Sequence, residues 1–273
     1  MKRIVFLLTG LLASSQILHA QNNEATKYEC IYEYKVNNGN PGEVYSSILM
    51  LNDTAAMFSD YSAYLVDSVL LVGGTDEENE HYQKQMVRNE YFFDQTVWQN
   101  IPDGKYTVCG TITPERYYYT EDANTIVWTM AEGTDTICGY SCGKATGEYG
   151  GRLWTVWYTS QIPVVYGPWK LCGLPGLVMK AKDTEGIHTF EAIAFRRGYI
   201  DIQAPNTKNH LKTTREKFVK TKNIFEKNPM GNIPVESIGH VRIDKHGGGK
   251  GSIFIDGQQL RIHPNGYIPL ELQ

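Results

Sequence analysis

The sequence predicts a mainly β protein: a single curved, largely antiparallel sheet or partly open barrel, with one amphipathic helix near residues 208–226. Three observations point that way. Residues 28–36 alternate, with Tyr28, Cys30, Tyr32, Tyr34 and Val36 on one side and mostly charged residues on the other, which is the period of a half-buried strand. Similar runs recur at short spacing, with turn residues between them. The abundance of Tyr, Thr, Trp and Gly suits antiparallel sheet better than alternating β and α units.

After the first strand, further strands are expected at 44–51, 91–98, 105–109, 115–119, 125–130, 152–158, 177–181, 188–195 and 252–255. The helix is read from Leu211, Phe218, Val219, Ile224 and Phe225, which recur at near-helical intervals among charged residues, with Asn228-Pro229 as the stop. A weaker helical candidate covers 76–89, and Gly73-Gly74 before it reads as a loop. No internal repeat, low-complexity linker or charge block marks a boundary, so one domain is expected over residues 21–273.

The N-terminus reads as a signal peptide over residues 1–20. Lys2 and Arg3 precede an apolar run at 4–12, and a small or polar stretch ends in Leu18-His19-Ala20. The run is too short to span a bilayer, and no cysteine stands at the cleavage site to take a lipid. Cleavage is expected after Ala20, with a mature start at Gln21, no transmembrane anchor thereafter, and a periplasmic or secreted product. Roughly 250 residues then remain, enough to bury a core. The formal net charge of −4 becomes more negative when the leader goes, which disfavours nucleic acid as a partner. The lysines and arginine crowded between Lys208 and Lys227 read as the wet face of the helix.

Motifs for catalysis are weak. Gly139-Tyr140-Ser141-Cys142-Gly143 matches a nucleophile elbow, but the following Lys144 to Gly151 contains three glycines and cannot make the helix that should come after Ser141. His246-Gly247-Gly248-Gly249 follows that serine, whereas an oxyanion loop should precede it, and it reads better as a glycine-rich hairpin before the strand 252–255. It also lacks the ending of a phosphate loop. The histidines and cysteines show no zinc spacing, so neither metal nor cofactor is expected. The region 149–169 is unusually aromatic, and Trp154 and Trp157 face opposite ways on one strand. Trp154, Trp157, Tyr158 and Trp169 are therefore the candidate ligand-binding residues, lining a groove for a peptide, glycan, lipid or partner protein. The favoured class is a non-enzymatic envelope protein that binds an extended or amphiphilic ligand. The alternative is an enzyme whose acids, such as Asp183 and Glu191, converge only in three dimensions.

The stretch Gly167-Pro168-Trp169-Lys170-Leu171-Cys172-Gly173-Leu174-Pro175-Gly176-Leu177-Val178 resembles the signature of the GLPGLI family of exported Bacteroidota proteins. Upstream, Gly139-Tyr140, Cys142, Lys144-Ala145, Gly151-Arg152, Trp154 and Trp157-Tyr158 fall at positions similar to that family's. The resemblance implies export and a single domain, but no activity. Gly173, Leu174, Pro175, Gly176, Leu177 and Val178 also suit a tight turn delivering the last two residues into a buried strand. Within this region Cys142 and Cys172 are the expected disulfide, with Cys138 to Cys142 as the competing bridge and Cys30 a small core hydrophobe. The triplets containing Thr54, Ser68 and Thr136 resemble the O-glycosylation sites of the same bacteria.

Overall fold

The computed structural model describes residues 28–39, 42–78, 80–81, 92–123, 125–233, 238–246, 250–263 and 265–273. The expected leader and start at Gln21 lie outside them, as do 79 and 82–89 of the weaker helical candidate. No helix among the described residues is long and apolar enough to cross a membrane.

One sheet of twelve strands dominates. In chain order its strands are β1 (Tyr28–Val36), β2 (Glu43–Leu51), β3 (Ala56–Asp60), β4 (Gln95–Gln99), β5 (Lys105–Ile112), β6 (Glu115–Asp122), β7 (Thr129–Ile137), β8 (Tyr140–Tyr149), β9 (Arg152–Thr159), β10 (Leu177–Asp183), β11 (His188–Arg197) and β12 (Leu211–Lys212). They lie side by side as β12-β6-β5-β4-β3-β2-β1-β11-β10-β9-β8-β7, so the sheet is not closed into a barrel. Every pairing is antiparallel except β12 with β6. A smaller sheet, not anticipated from the sequence, joins β13 (Val241–His246), β14 (Lys250–Ile255) and β15 (Gln258–Leu260). Its first two strands pair from His246 opposite Lys250, and the glycines 247–249 of the expected hairpin lie outside the described residues.

Period 2 assigns the faces. Cys30, Tyr32, Tyr34 and Val36 of β1 join Leu49, Leu51, Phe58, Val97, Tyr106, Val108, Tyr119, Trp154, Val156 and Phe190 in one core on what we call the inner face. Alternate residues Ile48 and Met50 point the other way and meet Tyr64 and Ile200 in a second cluster on the outer face. The outer helix α1 (Tyr61–Val72) is not anticipated from the sequence because it is apolar nearly all round and carries no helical stripe. Its end signals are nevertheless legible. Asp60 Oδ1 accepts from the Ser62 and Ala63 amides at 2.8 and 3.2 Å, and Gly73 closes the helix at φ 74°.

The expected amphipathic helix is shorter than its apolar spacing suggests. α2 (Arg215–Lys227) begins at Thr214, whose side chain accepts from the Lys217 amide, and residues 208–214 precede it in extended or turn form. Leu211 and Lys212 instead extend the sheet beside Tyr117 and Tyr118. Phe218 of α2 packs on Tyr119 and Tyr117, ring centroids 5.4 and 6.2 Å away, over Gly110. A Cβ at Gly110 would sit 2.6 Å from Phe218 Cζ, so that position has no room for a side chain. Asn228 ends α2, and the single turn α3 (Pro229–Asn232) follows.

The irregular segment 160–176 crosses the inner face and is hydrogen-bonded to it. Gln99 Nε2 donates to the carbonyls of Gly167 and Trp169 at 2.6 and 2.8 Å. Tyr106 Oη donates to that of Lys170 at 3.1 Å. This segment fills the face on which the sequence suggests an open ligand groove.

Candidate functional site

The four aromatic candidates do not share an open surface. Trp154 and Trp169 are sealed in the core with centroids 6.3 Å apart, and Tyr149 meets Trp169 edge-on at 5.4 Å. Trp157 stands half-buried on the outer face between Lys144 and Lys180, its cross-strand neighbours, whose ammonium groups lie 5.7 and 5.5 Å from a ring centroid. Tyr158 is half-buried against Gly143. Alternation separates Trp154 from Trp157, and the crossing segment then closes over Trp154.

The GLPGLV string works as backbone geometry. Gly173 sits at φ 97°, in the left-handed region that favours glycine. A Cβ on Gly176 would come within 2.3 Å of the Thr159 carbonyl oxygen, so close chain approach requires that glycine. Leu177 and Val178 then enter β10 fully buried, as the turn reading expected. The neighbouring Lys170 is completely buried. Its Nζ lies 2.7 Å from Glu121 Oε1 and 3.2 Å from Glu271 Oε2, and donates to Tyr119 Oη at 2.9 Å. Arg215 bridges the same carboxylates. The polar hollow beside this cluster has about 800 Å³, but its buried charges are paired within the protein.

The carboxylates suggested for an enzyme lie on opposite faces. Asp183 is buried on the inner side, accepting from Arg152 Nη1 at 2.8 Å and the His188 amide at 3.0 Å, whereas Glu191 pairs with Lys180 on the outer side. Ser141 is an exposed residue of β8 just after the Cys138-Gly139 turn, and a strand, not a helix, follows it.

The expected Cys142–Cys172 disulfide is not formed. Cys142 lies with Cys30 and Cys138 around Tyr32, while Cys172 Sγ is 2.8 Å from Tyr106 Oη, so the two thiols are drawn into different parts of the core. The competing Cys138–Cys142 bridge is absent too. Cys138 is exposed, with its thiol donating to the Ala192 carbonyl. Cys30 is fully buried among core residues, as expected, and burial pushes its thiol well above the ordinary range. Of the three candidate O-glycosylation residues, Thr54 lies exposed in a turn and Thr136 exposed on the edge strand β7. Ser68 lies on α1 with its hydroxyl donating to the Leu65 carbonyl.

The outer face carries a cleft of about 570 Å³, within the range of small-molecule sites. Its floor is the outward set of five adjacent strands: Met50, Met57 and Ser59, Thr96 and Trp98, Cys109, and Arg116. One wall is α1, through Ala63, Tyr64, Asp67 and Ser68. The other is the irregular strap 198–210, through Ile200, Asp201, Gln203, Ala204, Asn206, Asn209 and His210. Trp98 Nε1 donates to the Gln203 carbonyl at 2.8 Å and ties that strap to the sheet. Among the described residues, Ser59 Oγ, Asp201 Oδ1 and His210 Nδ1 are buried atoms without a hydrogen-bond partner, and all three residues line this cleft. Burial, aided by Arg116, lowers the His210 imidazole from its ordinary value, which favours its neutral form. Asp67 is an exposed residue at the rim, and the partial desolvation of its carboxyl there pushes it above the ordinary range. Among the described residues no cluster of three metal-ligating side chains occurs.

Of these cleft residues the sequence singles out Ser68 alone, and as a candidate O-glycosylation site, not a ligand-binding one. Ser59 and Met57 fall in a short strand without a clear alternating signal, Asp67 in the unanticipated helix, and 198–210 has no periodicity at all. The Asp60 cap is the available signal for α1.

A sequence model of the Bacteroidota-associated family described as "Protein of unknown function (Porph_ging)" matches residues 152–180. That stretch contains β9, the GLPGLV turn and the start of β10, and its family description differs from the GLPGLI name. No curated protein matches the chain. Among solved structures, two crystal forms of PNGF-II are similar at TM-score 0.47, with 17% and 16% identity. Each alignment covers 72% of this chain and 33% of PNGF-II, so the chain spans about a third of that protein's length. An uncharacterized conserved protein from Thermus thermophilus is similar at TM-score 0.36 and 7% identity, covering 70% of this chain and 93% of that one.

Proposed function

We propose that this protein is a non-enzymatic, exported envelope protein that holds a small amphiphilic ligand in the cleft between α1 and the strap 198–210. The observation that carries the reading is the contrast within that cleft. Met50, Met57, Tyr64, Trp98 and Ile200 offer an apolar wall, and Ser59 Oγ, Asp201 Oδ1 and His210 Nδ1 stand in it without partners. A buried polar atom left unpaired costs about 1–3 kcal/mol, so a ligand that satisfies these atoms gains both affinity and orientation.

Binding is favoured over catalysis at the same place. A serine nucleophile requires a base within hydrogen-bond reach, and Ser59 Oγ and His210 Nδ1 are not bonded to each other. The leader-like N-terminus and the absence of a second long apolar run support export of the chain from Gln21 onward. As part of the same reading, the exposed Thr54 and Thr136 carry O-glycans in native material, whereas Ser68 stays bare. Glycopeptide mapping that finds Thr54 and Thr136 bare removes that part.

The test is a thermal-shift screen of residues 21–273 against peptides, sugars, lipids and small amines, repeated on Ala204→Trp, which fills the cleft from its exposed strap. A ligand at a hundred times its Kd stabilises by about 2.7 kcal/mol, or roughly 5–10 °C for a domain of this size. The reading predicts such a shift in the wild type and none in the variant. A panel without hits, or hits indifferent to Ala204→Trp, would sink it.

A further inference from the structure

We infer that the cleft selects an organic cation, a small molecule carrying an ammonium group on an apolar body; this rests on the cleft being a ligand site. The argument is one of charge and hydrogen-bonding type. Asp67 on α1 and Asp201 on the strap contribute two carboxylates from opposite walls, and no described cation lies within salt-bridge distance of either. This is in contrast to the inner side, where Lys170, Lys222, Arg152, Arg215 and Arg261 each face a carboxylate. Among the described residues, Asp201 Oδ1 is in addition a buried acceptor with no donor.

Ser59 supplies the second, independent observation. It is 5% exposed, and its unpartnered hydroxyl faces the same cavity from the floor. A hydroxyl accepts as readily as it donates, so Ser59 joins the two carboxylates as an acceptor for an N–H donor.

Two groups in the cleft bear on the sign of the charge. Arg116 is the only cation among the described lining residues, and with the Gln258 amide oriented to accept, its Nε and Nη2 donate to that oxygen at 2.8 and 3.3 Å. Its charge is thus directed toward β15. The His210 imidazole is lowered from its ordinary value by burial, aided by Arg116, which favours its neutral form. The lining therefore holds two negative charges against one positive charge that is engaged elsewhere. An ammonium ion balances the excess and supplies three donors, while Met50, Met57 and Ile200 take the apolar body.

The test compares 4-phenylbutylamine, 4-phenylbutanol and 4-phenylbutyrate by calorimetry at neutral pH. They share a body and differ in head group. Charge-assisted hydrogen bonds are about twice as strong as neutral ones, so the amine should bind at least roughly tenfold tighter than the alcohol, with the carboxylate weakest. Asp201→Asn and Asp67→Asn should each cut the preference for amine over alcohol severalfold. Asp67 is exposed at the rim, so its variant keeps the test usable if Asp201→Asn fails to fold. Equal binding of amine and alcohol, tighter binding of the carboxylate, or a preference unmoved by both variants would overturn the cation inference and leave the cleft reading intact. Binding by none of the three probes would overturn both.

Discussion

Replacing Lys170 with methionine tests whether the buried ion cluster holds the C-terminus and α2 to the inner face. Methionine keeps most of the stem volume, so the perturbation is mainly the loss of charge. Lys170 and Arg215 together face Glu121 and Glu271, two cations against two carboxylates. Without Lys170 one buried negative charge is left over, and Tyr119 Oη loses its donor. Breaking a buried ion pair from one side costs about 3–5 kcal/mol. The lower end applies, because Arg215 still reaches Glu271 Oε1 at 2.5 Å and Glu121 is partly wet. A loss of about 3 kcal/mol corresponds to a fall in Tm of roughly 6–12 °C in a domain of this size. Burial works against the ammonium, but Glu271, Tyr149 and Glu121 outweigh it and raise its pKa well above the ordinary lysine value. A raised lysine stabilises fully below its unfolded pKa, so the effect is present in full at neutral pH. Urea unfolding followed by tryptophan fluorescence measures it. Lys170→Met with Glu271→Gln should lose less than the sum of the single changes, because the pair is removed together. A loss under about 1 kcal/mol for Lys170→Met, or strict additivity in the double variant, would refute the reasoning.

Gly176→Ala drives a methyl to within 2.3 Å of the Thr159 carbonyl and should destabilise by about 1–3 kcal/mol, seen as a lower urea midpoint at unchanged slope. His263 sits between Glu43 and Glu226 at 3.0 and 3.2 Å; burial alone would lower its pKa, but the bonds to Glu226 and Glu43 raise it. Its contribution is therefore full below the unfolded histidine value of about 6.5 and fades as pH rises through the raised value, so the deficit of His263→Gln should shrink on alkaline titration. His188 behaves in the opposite sense. Burial, with Arg152 beside it, lowers it to about 4, so its contribution is lost as pH falls from about 6.5 toward that value, a trend that His188→Gln should abolish. Native alkylation should label Cys138 well ahead of the other four cysteines, and a peptide map linking Cys142 to Cys172 would contradict the separation of the two thiols.

What the sequence determined by itself was what repeats along the chain. Alternation at Tyr28–Val36 marked β1 and its inner face, and the same period placed most strands of the large sheet and set Trp154 and Trp157 on opposite sides. Local stereochemistry was equally legible: the turn around Gly173 and Gly176 and the stop at Asn228-Pro229 follow from a few adjacent residues. Tertiary structure alone decided which face stays open. The segment 160–176 carries no periodic signal, yet its carbonyls accept from Gln99 and Tyr106, residues remote in sequence, and this contact buries the aromatic groove expected around Trp154 and Trp169. The cleft has the same origin on the other face. Ser59, Asp67, Asp201 and His210 come from a strand, a helix and a strap, and no local pattern links them. Burial and partnership depend on which surfaces meet after the sheet has formed, a property of long-range packing that the order of residues along one strand does not contain.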